Sequence, residues 1–309
     1  MTTPATRPSP LRVWILAIRP RTLPAAVAPV LVGLGVTVGS GLPLHPGAAA
    51  GCLAVALLLQ VVANLANDLS DFRKGADTPD RQGPLRVAAA GLVTPRQLEI
   101  AIGLAILLAG LVGLGLVAIG GPGLLVVGGL AILAALLYTG GPLPYGYRGL
   151  GDLFVFLFFG IVAVVGTAYL QAGTLLVPLA WAAAIPVGAL VTAILVVNNL
   201  RDRPTDLAAG KRTLAVIHGD RFVQAEYVAL LAIGAAFPVA IALLAVRPGA
   251  LLALLAIPLA PPLIAEVLAA GEGSDRRRLN PVLGGTARLA LAGSALLALG
   301  LAAGRLGLG

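Results

Sequence analysis

Long apolar runs separated by short polar ones dominate this chain. About 20 helical residues at 1.5 Å rise cross the ~30 Å hydrocarbon layer of a bilayer, so apolar runs near that length read as spans. Nine are found, at 23–41, 48–68, 97–119, 122–140, 151–172, 176–199, 222–246, 249–270 and 286–304. Only Gly120-Gly121-Pro122 divides the third from the fourth, so eight spans with a re-entrant piece is an alternative count. The stretch "LRVWILAIRP" (11–20) is too short and too basic to span and predicts an interfacial helix leading into the first span. The pattern predicts an all-α, polytopic membrane protein. Residues 1–22 form a cytoplasmic tail and interfacial helix, and 23–309 form a single nine-transmembrane-helix bundle.

Charge adds the orientation. Only 11% of residues are charged, against roughly 25% in soluble domains. Of the 21 lysines and arginines, all but Arg247 and Arg305 fall on one side of the predicted spans. By the positive-inside rule that side is cytoplasmic, giving N-terminus in and C-terminus out in the inner or plasma membrane. The net charge of +8 is thus explained by topology and does not point to nucleic acid. The triple arginine of "GSDRRR" (273–278) reads as an anchor near lipid headgroups. Cys52 is a lone cysteine and reads as core packing. His45 and His218 lie on opposite faces, which argues against a histidine metal centre. Glu226 and Glu266 read as snorkelling or helix-pairing groups near cytoplasmic helix ends.

The acidic residues gather on the same cytoplasmic side, which topology does not require. At 60–71, helical spacing places Gln60, Asn64, Asn67, Asp68 and Asp71 on one polar stripe, with Asp77 beyond it. At 195–213, Asn198, Asp202 and Asp206 follow one another at steps of four, behind another apolar run. Pro204 lies between the two aspartates, and a helix that ends near Asp202 and restarts there is expected. Carboxylates held close repel one another, and a hard divalent cation removes that conflict. Mg²⁺ takes oxygen ligands and binds through one or two carboxylates plus substrate phosphates. The candidate metal ligands are Asn67, Asp71, Asp77, Asn198, Asp202 and Asp206. The chain's two lysines, Lys74 and Lys211, fall one in each acidic loop, with Arg81, Arg86 and Arg212 nearby. With Arg21 at the first span, these are candidates to hold a diphosphate. Arg19 is a candidate either to reach phosphate or to anchor at the interface. In "YTGGPLPYGYRGLGD" (138–152), Tyr138, Tyr145 and Tyr147 offer π faces to a cation and Arg148 a partner for a carboxylate. Gln60 and Asn64 are further candidates for substrate contact.

At these residues the sequence resembles the UbiA superfamily of intramembrane aromatic prenyltransferases. The shared stretches include "RPRTLPAAVAPVLVG" (19–33), "NDLSDFRKGADTPDRQGPLRV" (67–87), "YTGGPLPYGYRGLGDLFVFLFFG" (138–160), "NNLRDRPTDLAAGKRTLAV" (198–216) and "LNPVLGGTARL" (279–289). Asn67 and Asp71 match the family's first Asn-x3-Asp-x3-Asp motif, but Gly75 takes the third place and Asp77 follows two residues later. That spacing resembles the branch acting on 1,4-dihydroxy-2-naphthoate in menaquinone synthesis. Pro204 is a departure within the second motif.

The resemblance implies Mg²⁺-dependent transfer of a polyprenyl group from polyprenyl diphosphate to 1,4-dihydroxy-2-naphthoate, with loss of CO₂ and diphosphate, giving demethylmenaquinone. It implies Asp71 and Asp202 as catalytic metal-bearing acids, with Asp68 as a base or supporting group, on the cytoplasmic side of the bilayer. Another acceptor, 4-hydroxybenzoate or homogentisate, is the nearest alternative. A cation-coupled transporter would need polar groups at the midplane, whereas all 13 acids lie near the cytoplasmic face.

Overall fold

A 28-residue helix from Pro46 to Arg73 carries the first acidic stripe on its last turns. Its first residue is a proline, preset for a helix start, and its apolar length gives way to polar residues after Gln60. In the computed structural model, which describes residues 8–76 and 82–304, this is α3. Before it come α1 (Pro10–Ile18) and α2 (Pro24–Gly39), bent by 50° at the intervening elbow. After it come α4 (Pro95–Gly120), opened by a Thr94/Gln97 capping box, and α5 (Gly123–Leu137). Next are α6 (Gly151–Ala172), α7 (Pro178–Ala208), α8 (Asp220–Leu244), α9 (Pro248–Ala269) and α10 (Leu279–Ala303). Every regular element among the described residues is helical.

Seven helices, α3, α4 and α6 to α10, are long and apolar enough to cross a membrane, and the bent α1–α2 pair raises this to eight. α5 has only 15 residues, fewer than the 122–140 run predicted from composition. The chain leaves the helix after Tyr138 for a turn through Gly140 and Gly141, the latter at φ +67°, where glycine is favoured.

α7 forms the buried axis, packed by α2, α6, α8 and α10, while α3 packs against α4 and α5. Close approaches rely on missing side chains. A Cβ added to Gly35 of α2 would lie 2.5 Å from the backbone of Ala298 on α10, and one on Gly160 would lie 2.7 Å from the Cα of Gly188. Around Gly160, residues Phe156–Val162 of α6 adopt a π-helical turn. Such widened turns often accompany functional cavities, and here Phe158, Phe159 and Val162 all line one.

Two expectations are corrected. α7 does not break at Pro204 but continues to Ala208. Proline removes the N–H that would bond the carbonyl four residues back, here that of Leu200. That carbonyl accepts instead from Nη1 of Arg276, at 2.5 Å. Arg276 is consequently not a lipid-headgroup anchor. It is 6% exposed and pairs with Asp220 at 2.6 Å. Of the other two arginines, both exposed, Arg278 meets Glu266 at 3.1 Å, the helix pairing foreseen for that acid.

Candidate active site

The ends of α3 and α7 bring both acidic elements to one cavity of about 380 Å³. α3 contributes Gln60, Asn64, Asn67 and Asp71, and α7 contributes Asn198, Asp202, Thr205 and Asp206. Lys211, Arg19, Arg86, Thr139, Tyr138 and Tyr145 also line it. Deeper, the wall turns apolar, from Phe154 and Phe158 to Cys52, Leu116, Leu124 and Leu170. Cys52 and Asp71 lie 19 residues apart on α3, so the lining extends about 28 Å along that helix at ~1.5 Å per residue.

Hydrogen bonds fix the polar wall. Asn64 donates to the Ile18 carbonyl (2.8 Å) and to Thr22 Oγ1 (2.9 Å), tying α3 to the α1–α2 elbow. Gln60 donates to Asn64 Oδ1 at 3.3 Å. Arg19 holds that elbow in the left-handed region at φ 56°, a conformation that costs a non-glycine residue energy. Its Nη2 lies 3.9 Å from Asp68. Asp68 is buried but outside the cavity lining, accepting from the backbone N–H groups of Val87 (3.2 Å) and Ala88 (3.3 Å). Asn67 accepts from Thr139 Oγ1 at 2.9 Å.

Each motif acid among the described residues has a basic partner. Arg86 bonds Asp71 at 2.9 Å, and Lys211 lies 3.4 Å from Asp206. Arg201, 2% exposed, grips Asp202 with Nε (2.8 Å) and Nη2 (2.7 Å), and also bonds Asn198 (2.7 Å) and Asn280 (3.1 Å). Tyr147 joins the two halves. Its hydroxyl donates to Asp71 at 3.2 Å, and its ring lies 4.1 Å from the Lys74 ammonium and 5.7 Å from that of Lys211. Lys74 also donates to the Thr139 carbonyl at 2.5 Å. Partial burial, and secondarily the Lys211 charge, lower its pKa, while Asp71 opposes them.

Tyr145 stacks on Phe154 at 4.2 Å, meets Tyr138 edge-on at 5.4 Å and bonds the Ala134 carbonyl at 2.9 Å. These rings form an aromatic shoulder between the polar mouth and the apolar depth. Arg21, Arg148 and Arg212 are exposed and do not line the cavity. Asp77 and Arg81 lie outside the described residues. Arg201, Thr139 and Asn280 were not singled out from sequence, whereas Arg86, named there beside the first acidic motif, does reach the cavity. The adjacency Arg201-Asp202 at the end of an apolar run was the available signal for one of them.

The donors fit a hard cation. Asn67, Asp71, Asn198, Asp202 and Asp206, all with side-chain oxygens, line one space, and Oδ2 of Asp206 is buried with no hydrogen-bond partner. Among the described residues no three His, Cys, Asp or Glu side chains are grouped closely enough to hold a metal ion by themselves. Such an ion would therefore draw its remaining ligands from phosphate and water.

Comparison with known proteins agrees with this geometry. The UbiA prenyltransferase family matches residues 26–291. A 1,4-dihydroxy-2-naphthoate octaprenyltransferase of Mycobacterium tuberculosis (strain ATCC 25618 / H37Rv) is 42% identical over 302 residues, covering 95% of this chain and 98% of that one. The protein of that name in Escherichia coli (strain K12) is 42% identical over 226 residues, covering 71% and 73%. In fold, the chain is similar to a UbiA homolog from Aeropyrum pernix K1, with a TM-score of 0.65, 18% identity and coverage of 91% and 96%. It is also similar to a UbiA homolog from Archaeoglobus fulgidus bound to GPP and Mg²⁺, at TM-score 0.56, 17% identity and coverage of 92% and 99%.

Proposed function

Because this chain belongs to the UbiA prenyltransferase family, we propose that it transfers a polyprenyl group from polyprenyl diphosphate to 1,4-dihydroxy-2-naphthoate. One observation carries the reading: the acid-bearing ends of α3 and α7 meet at the mouth of a single cavity whose depth is aromatic and apolar. The names of the relatives support the acceptor, and the Mg²⁺-bound neighbour supports a divalent metal. The protein is a multi-pass membrane protein. We place it in the cytoplasmic membrane as one catalytic unit, residues 23–309 after the tail and interfacial helix of 1–22. Counting the α1–α2 pair and the short α5 with the seven longer helices gives nine membrane segments, with the basic, acid-bearing face inward.

The residues divide the work along the cavity. Asp71, Asp202 and Asp206, with Asn67 and Asn198, would hold Mg²⁺, which neutralises the diphosphate and stabilises it as a leaving group. Lys74, Lys211 and Arg86 supply positive charge at the same mouth. As the allylic C–O bond breaks, its electron pair leaves with the diphosphate. The positive carbon left behind faces the π surfaces of Tyr138, Tyr145 and Phe154, which stabilise it and exclude water. An electron-rich ring carbon of the acceptor then forms the new C–C bond. Loss of CO₂ from that same carbon leaves the broken bond's electron pair with the ring, which regains aromaticity at the hydroquinone level. The prenyl tail occupies the apolar depth.

The test uses protein purified into lipid nanodiscs, polyprenyl diphosphate and 1,4-dihydroxy-2-naphthoate, with product followed by mass. The expected product is prenylated and lighter by CO₂, appears only with Mg²⁺, and is abolished by EDTA and by Asp71→Asn. Product formed from 4-hydroxybenzoate instead would keep the site and overturn the acceptor. Folded protein that transfers to no acceptor would overturn the function.

A further inference from the structure

We propose that Arg276 is a positioning residue for the second acidic motif, replacing the backbone hydrogen bond that Pro204 removes from α7. The inference rests on the prenyl-transfer reading and adds to it a part of the chain far from both motifs in sequence. Pro204 falls between Asp202 and Asp206, so the helix is weakest where two metal-facing carboxylates need a fixed relation. Without a donor, the buried Leu200 carbonyl would favour a kink beside the proline ring. The last turn, with Asp206, would then swing away from Asp202. Arg276 prevents this from outside the helix. Nη1 bonds the Leu200 carbonyl at 2.5 Å, and Nη2 is held by Asp220 at 2.6 Å. Asp220 is itself paired with Arg203, at 3.2 Å, on the same turn as Pro204.

A second contact four residues later shows how far this segment reaches. Asn280, on the first turn of α10, accepts from Arg201 at 3.1 Å and donates to the Gln82 carbonyl at 2.9 Å. Arg201 is the residue that grips Asp202, and Gln82 belongs to the loop that follows the first acidic motif. The segment from Arg276 to Asn280 therefore braces the second motif and touches the loop of the first. Its arginine acts on the metal site only through the helix.

The experiment compares wild type, Arg276→Ala, Pro204→Ala, the double variant and Asp220→Asn in nanodiscs, each checked for folding by its thermal midpoint. Pro204→Ala restores an N–H opposite the Leu200 carbonyl and makes Arg276 redundant. Arg276→Ala is expected to raise the Mg²⁺ concentration for half-maximal rate and the KM for polyprenyl diphosphate by about five- to a hundredfold, the range for a buried carbonyl left unsatisfied. The acceptor KM should change by less than about twofold, and Pro204→Ala in that background should recover most of the loss. Asp220→Asn leaves an oxygen for Nη2 and the carbonyl bond in place, so its Mg²⁺ curve should move less than that of Arg276→Ala; if Arg276→Ala fails to fold, recovery of folding in the double variant carries the test. An unshifted Mg²⁺ curve in folded Arg276→Ala, absence of rescue in the double variant, or a shift in Asp220→Asn as large as in Arg276→Ala would each overturn the proposal. No product from wild type would instead overturn the prenyl-transfer reading.

Discussion

Replacing Arg201 with methionine is the sharpest probe of how this site is held together. The guanidinium is 2% exposed and makes two bonds to Asp202, which is itself 4% exposed, plus one each to Asn198 and Asn280. Methionine keeps the apolar length of the side chain but leaves Asp202 as a buried anion without that partner. Breaking a buried pair from one side costs about 3–5 kcal/mol, mostly from the charge left behind. A chain of this size shifts its midpoint by roughly 2 °C per kcal/mol, so Arg201→Met should lower it by about 6–10 °C. The assay is a thermal scan of the nanodisc protein by intrinsic fluorescence, at one fixed rate because membrane proteins often unfold irreversibly. Adding Asp202→Asn to Arg201→Met removes the stranded charge and should restore more than half of the loss. A fall of less than about 2 °C, or a double variant no more stable than the single, would refute this account.

Three further outcomes follow from the same geometry. Asp206→Asn should lose about 100-fold or more in rate per folded molecule, because it removes a carboxylate that offers an unpartnered oxygen to the cavity, with a lower thermal midpoint from the buried Lys211 charge left without it; a Mg²⁺-dependent rate near wild type would exclude it from the metal set. Tyr147→Phe keeps the ring near both lysines but loses the 3.2 Å bond to Asp71. It should raise the diphosphate KM by about tenfold, with Tyr147→Ala worse, as steady-state kinetics would show. Gly35→Ala forces a Cβ to within 2.5 Å of Ala298 backbone and should cost about 1–3 kcal/mol in stability, seen as a lower thermal midpoint with the rate per folded molecule unchanged.

Much of the site was legible beforehand for a simple reason. In a chain this apolar, a polar side chain at the end of a span is conspicuous, and helical spacing alone places Gln60, Asn64, Asn67 and Asp71 on one face. The acid positions of α7 emerged the same way. The basic residues were harder, because a long charged side chain reaches wherever the fold sends it. Arg21, Arg148 and Arg212 satisfy the same motif logic as Lys211 yet point to the exterior, while Arg86 and Arg201 turn inward.

The sequence by itself determined the all-helical membrane class, the two acidic helix ends and the side of the molecule on which they gather. These depend on local periodicity, hydropathy and charge, which the chain carries without reference to its folded partners. Tertiary structure alone decided which base pairs with which acid, how the α5 run shortens, and whether α7 survives Pro204. That last question turns on one carbonyl at Leu200 and a donor 76 residues away at Arg276. No local rule connects them, because the missing hydrogen bond is supplied across the bundle rather than along the helix.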